Sequence, residues 1–271
     1  MPQPWHDILA NLLPFWMVAA RLSGLFLFAP ILASQLVARQ VRILLVVMLT
    51  VALFPAVASA GQPLPPLEPA ELIFVLAGEI LIGLALGLMA SMPLVAVQIA
   101  GSIAGFKLGL AIATVFNPES NADSAVIGQL LFFAALALFV QVGGLELMLI
   151  GVMHTFEVVP PATAWLDVAP AELFAAMLDA AFVVAMRIAM PVLVLSTLAS
   201  LAMGVLMRTI PQINVLTIGF AIQILLGMMI LAVSSAAIGD VIVDSIVEAF
   251  AAIDGWVESL TPRRTGVHHG G

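Results

Sequence analysis

Four stretches without a charged residue, 80–106, 124–145, 188–207 and 209–239, set the limits on this chain. Each reaches the roughly 20 residues that a helix needs to cross the hydrocarbon of a bilayer. None has the apolar and polar alternation of a barrel strand, and lipid leaves the backbone only helices or closed barrels in which to satisfy its hydrogen bonds. The fold class that follows is all-α: a polytopic membrane protein of helical hairpins with about six long apolar helices. Composition agrees, with 63% of the 271 residues apolar and 9% charged, against about 25% charged in an ordinary soluble domain.

Polar breaks at 34–42, 60–71, 117–123, 154–172 and 208–214 divide one membrane domain into hairpins, with spans expected near 12–33, 43–59, 72–98, 125–153, 178–207 and 213–235. Arg39 and Arg42 in one break and Arg208 in another stand without an acid, so both breaks read as cytoplasmic. Glu68 with Glu71, and Glu157 with Asp167 and Glu172, stand without a base and read as external, which puts the N-terminus outside. The opening residues MPQPWHDILA carry Asp7 and no base, the wrong start for a cleavable secretory signal, so the N-terminus is expected to be retained. There is no cysteine, hence no disulfide, thiol nucleophile or thiolate-bound metal. The formal net charge of -8 argues against nucleic acid as a partner, because phosphate binding needs clustered Lys and Arg.

Three domains of behaviour are expected: a membrane domain over 1–239, an acidic amphipathic helix over 240–261 and a flexible tail over 262–271. In the second, Asp240, Asp244 and Glu248 recur every four residues, opposite a stripe of Ile242, Ile246, Phe250, Ile253, Val257 and Leu260. A helix lying on anionic lipid presents Lys and Arg, and this one presents acid, which favours packing against protein over a merely solvated face.

Several features bear on chemistry. Gly101 and Gly105 repeat at a four-residue spacing, as do Gly83 and Gly87, and such faces let a second backbone approach closely, within this chain or in a partner. Arg21, Glu79, Lys107 and Arg187 are charges stranded among apolar residues. Each needs a carboxylate, a base, water or an interface; mutual pairing or snorkelling is the plain answer and a proton relay the sharper one. The segment GLAIATVFNPES, 109–120, ends in Asn117-Pro118, where proline bars the helical conformation of the residue before it, so the preceding helix is expected to stop there. Its polar end suits either a surface turn or a loop folded into a water-lined path, and its apolar part is an odd choice for a turn in water. His6, His154, His268 and His269 lack zinc-protease spacing, and no G-x-S-x-G or phosphate-binding G-x-x-x-x-G-K-[ST] occurs. No enzyme, cofactor or metal site is expected.

RLSGLFLFAPIL followed by ARQVR, then GEILIGLALG, GFKLGLAIATVFNPES and GVLMRTIPQINVLTIGFAIQILLG, in this order and spacing, resembles the FliR family of flagellar biosynthesis proteins, components of the type III export gate. The resemblance covers about residues 21–229; the tail after Gly239 matches nothing in it residue by residue. It implies helical hairpins wound together with FliP-like and FliQ-like subunits into a pore, much of it outside the membrane plane. It places the chain in the bacterial inner membrane at the flagellar basal body, near an FlhB-like switch subunit, with unfolded export substrates in transit. It also implies that the segment after the glycine-spaced helix folds inward as a plug: Gly109 to Ser120, with Leu110, Ile112, Val115 and Phe116 as its bulk and Asn117-Pro118 setting the reversal. A dry apolar constriction of this kind excludes ions.

The function expected is thus a non-enzymatic channel subunit. The alternatives are the equivalent subunit of a virulence secretion system and a secondary transporter, whose midplane sites also use broken helices and stranded charges but whose related halves are not visible here.

Overall fold

A computed structural model of the chain describes residues 4–32, 37–60, 69–110, 126–161, 171–209 and 215–260. Among them are eight helices and no strand: α1 (Pro4–Phe28), α2 (Arg39–Ala60), α3 (Pro69–Lys107), α4 (Val126–Gln141), α5 (Gly144–Val158), α6 (Ala171–Thr209), α7 (Val215–Val233) and α8 (Ser235–Ser259). The chain is a helical membrane protein. Among the described residues three helices are long and apolar enough to cross a bilayer alone, or there are up to five spans if α4 with α5 and α7 with α8 each count as one.

The first of those pairs departs from the uninterrupted span expected over 125–153, whereas the break of the second falls at the end of the span expected over 213–235. The first breaks at Val142-Gly143, where Gly143 takes a φ of 80°, a left-handed conformation that side chains disfavour. The ring of Phe139 then lies where a side chain on Gly144 would stand. The second breaks at Ser234, and α8 starts five residues before the acidic pattern does. Its stripe of Ile242, Ile246, Phe250, Ile253 and Val257 is buried, with Leu260 half-buried, while Asp240, Asp244 and Glu248 are exposed.

The chain divides into two compact units: Met1–Ser91 with Leu145–Ala175 and Glu248–Gly271, and Met92–Gly144 with Ala176–Val247. Within α3 the division falls beside Pro93, which removes one helical hydrogen bond.

In the first unit, α1 and the first half of α3 run parallel. Met17 clusters with Val75, Arg21 meets Glu79 and Gly83, and Leu25 meets Gly83 and Gly87. The approach is of backbone on backbone. A Cβ on Gly87 would lie 2.5 Å from the Leu25 carbonyl oxygen, one on Gly83 would run into the Arg21 carbonyl, and one on Gly24 into the Ile80 carbonyl. α2 returns antiparallel along α1, with the rings of Phe15 and Phe54 edge to face at 5.8 Å.

In the second unit the same device joins the end of α3 to α4. A Cβ on Gly101 would stand 2.5 Å from the Cα of Gly128, and one on Gly128 would stand 2.8 Å from the Gln98 carbonyl oxygen. The glycine faces of α3 are thus occupied by this chain's own helices. Replacing Gly83 with Ala is expected to destabilise the fold by at least the ~1–3 kcal/mol of an overpacked core. Gly204→Ala, where a Cβ meets nothing within 4 Å, is expected to be neutral or stabilising through helix propensity. Thermal unfolding of the two variants in detergent compares them directly.

Candidate functional site

The segment singled out in the sequence begins where α3 ends, and that end is built with care. The helix stops at Lys107, ten residues before Asn117-Pro118, which corrects the expected stopping point. Gly109 has a φ of 81°, its N–H donates to the Phe106 carbonyl at 3.1 Å, and the Leu110 N–H donates to the Gly105 carbonyl at 3.2 Å. This pair of bonds around a left-handed glycine is the Schellman stop. It satisfies carbonyls that the last turn would otherwise leave unpaired.

Two contacts from α7 fix the same place. The Gln223 side-chain amide donates to the Lys107 carbonyl at 2.7 Å, removing another orphan acceptor. Leu108, fully buried, lies against Gly227 so closely that a side chain there would collide with it. The chain therefore leaves α3 from a fixed point in a fixed direction. Gly109 and Leu110 are half-buried. Ile112, Val115, Phe116, Asn117 and Pro118 lie outside the described residues.

The stranded charges separate into different cases. Arg21 and Glu79 are both fully buried and paired: Arg21 Nε donates to Glu79 Oε2 at 2.7 Å, and one terminal nitrogen lies 2.7 Å from the same oxygen. The other terminal nitrogen donates to Thr155 Oγ1 at 3.1 Å, while that hydroxyl itself donates to the Val152 carbonyl. The carbonyl of Val159, just past the end of α5, accepts from the Arg21 Nη2 at 3.1 Å. A cation there also complements the negative end of the helix dipole. The guanidinium lies 4.1 Å from the centroid of the Phe156 ring, within cation–π range. One side chain of α1 thereby holds both α3 and α5.

Lys107 is half-buried, with its carbonyl capped by Gln223. Arg187 differs from the buried pair: it is exposed on α6, because it falls on the helix face opposite the buried Ala185, Ile188 and Val192. The glycines at four-residue spacing all sit in helix contacts or cores, Gly83, Gly87 and Gly101 against neighbouring backbone and Gly105 buried with its carbonyl in the Schellman stop. Among the described residues no group of three or more His, Asp or Glu is placed to hold a metal ion.

A family model described as bacterial export proteins, family 1, matches residues 12–249. The chain belongs to that family. The bacterial export protein match runs from within α1 to within α8, and so includes the Arg21 network and the α3 stop. Among its relatives, the chain is 33% identical to the flagellar biosynthetic protein FliR of Bacillus subtilis, over 83% of this chain and 86% of that one. It is 29% identical to the FliR of Escherichia coli K12, over 80% and 82%. It is also 26% identical to the Yop proteins translocation protein T of Yersinia pestis, over 78% and 82%.

Sequence reasoning missed the parts of this export protein that carry no charge or motif. Gln223 is an amide in the middle of a helix that is apolar apart from it and Thr217, which was a usable signal. Thr155, the Val159 carbonyl and Gly227 gave none, since their roles depend on which helix lies opposite. Removing Arg21 alone, as Arg21→Met, leaves the Glu79 carboxylate buried without its partner, and a loss of about 3–5 kcal/mol is expected. The double variant Arg21→Met with Glu79→Leu is expected to recover most of it. A double-mutant cycle on thermal unfolding tests this, and near-neutral single variants would contradict it.

Proposed function

We propose that this chain is a channel subunit of the bacterial flagellar type III export gate, in the inner membrane at the flagellar basal body. In this reading residues 109–120 close the conduit when no substrate is in transit. It acts without catalysing a reaction, beside FliP-like and FliQ-like subunits and near an FlhB-like switch subunit, and unfolded substrates pass through the assembly. Family membership and the flagellar names of relatives matching over four-fifths of the chain support the export role.

The observation that carries the closing role is the built stop at the end of α3. Fixing Lys107, Leu108 and Gly109 by three separate contacts is of little use before an idle surface turn. It is what a stopper needs, because a bung seated by a loose root would not hold a constriction shut. Leu110, Ile112, Val115 and Phe116 supply apolar bulk that keeps the constriction dry, and Asn117-Pro118 returns the chain.

The flagellar assignment is preferred to a virulence system because the flagellar relatives of Bacillus subtilis and Escherichia coli are 33% and 29% identical, against 26% for the Yersinia translocation protein. Deleting residues 110–116 is expected to leave assembly intact while the membrane becomes permeable to ions and small solutes. Membrane potential and solute uptake in cells carrying the deletion read this out. A tight membrane with a normally assembled complex would contradict the closing role.

A further inference from the structure

α6 carries a surface that the described residues of this chain do not cover. The helix has 39 residues, and at about 1.5 Å per residue it is about 58 Å long, close to twice the ~30 Å of bilayer hydrocarbon. Only a narrow edge of Phe174–Leu206 is buried, marked by Met177, Ala181, Ala185, Ile188 and Val192, and most of its other residues are exposed. On its open side Asp179, Val183 and Arg187 follow one another at four-residue spacing, so they share one stripe. All three are exposed, and among the described residues neither charge has an ion-pair partner.

Both ways of placing this helix in a bilayer leave the stripe in difficulty. If hydrocarbon covers the charge-free stretch 188–207, the preceding turns stand outside it, with Leu178, Phe182, Val183 and Met186 exposed to water as one apolar patch. If hydrocarbon covers the middle of the helix, Arg187 stands in lipid without a counter-ion among the described residues, at a cost of a few kcal/mol. One arrangement relieves both: an apolar helix of another protein, packed along the stripe and carrying a carboxylate level with Arg187.

That partner is not a second copy of this chain. Two copies inserted in the same direction and related by an axis along the membrane normal bring each residue level with itself, so Arg187 would meet Arg187 and Asp179 would meet Asp179. Like charges opposed across an interface disfavour it strongly. We infer that the Asp179–Arg187 stripe of α6 is a docking surface for a different membrane subunit, whose contacting helix is apolar and bears an acid facing Arg187. This rests on the reading of the chain as one subunit of a mixed export complex and names the chemistry of one of its joints.

The test uses the full chain in its native membrane, with a photo-activated cross-linking amino acid in place of Met186, beside Arg187 and exposed. The expected adduct is to another membrane subunit, on a peptide with Asp or Glu within two helical turns of the cross-link. Arg187→Glu should reduce the adduct at least tenfold, Arg187→Lys should preserve most of it, and changing the identified acid to Lys should restore it in the Arg187→Glu background. Adducts to lipid alone, to a second copy or to an acid-free peptide overturn the inference, as does an unchanged yield in Arg187→Glu. If lipid adducts appear while other export subunits still co-purify, the docking surface falls and the export reading stands. If nothing co-purifies, both fall.

Discussion

A single guanidinium ties the first unit together. Arg21 is fully buried in a chain with few charges, and every direction in which it donates is answered: Glu79 from α3, Thr155 from α5 and the carbonyl of Val159 at the end of α5. An ion of that kind is tolerable inside protein only with such complete satisfaction. The network therefore admits one register of α1 against α3, since sliding either helix by one turn would strand both charges. The glycines enforce the same register from the steric side, because Gly24, Gly83 and Gly87 allow contact only where no side chain intervenes.

The second unit applies the steric half of that logic without the ionic half. Gly101 against Gly128 and Leu108 against Gly227 bring α3, α4 and α7 together through small residues. Between apolar helices, where lipid is as good a solvent as protein, close packing of this sort is a main source of association. The chain that leaves α3 starts from that packed junction. A rigid origin is the physical link between core packing and the proposed control of passage: the position of a short segment is only as well defined as its root.

Much of the architecture was legible from the pattern of charge. Runs without a charge gave the helical class, and Arg21 and Glu79 stood out as groups that needed partners. Which partners they found was not legible, because residues 58 positions apart meet only once the register of α1 on α3 is set, and a backbone acceptor such as Val159 leaves no mark in composition. The helix break inside the span expected over 125–153 was hidden as well. Gly143-Gly144 interrupts no apolar run: Gly143 is left-handed, and the Phe139 ring occupies the space beside Gly144 only once the helix has broken there. The early end of α3 was readable: Lys107 in a last turn followed by Gly109 is a stop signal in its own right, well ahead of Pro118.

The central claim is that the segment after this anchored stop occupies the conduit and shuts it. Because the chain has no cysteine, a single Phe116→Cys change in the assembled complex offers a clean probe. Thiol labelling by a membrane-impermeant reagent, timed with the gate at rest and again during substrate export, is the direct measurement. The account predicts slow labelling at rest and fast labelling in transit. Equally fast labelling in both states would show a segment lying in open solvent, and the closing role would be lost.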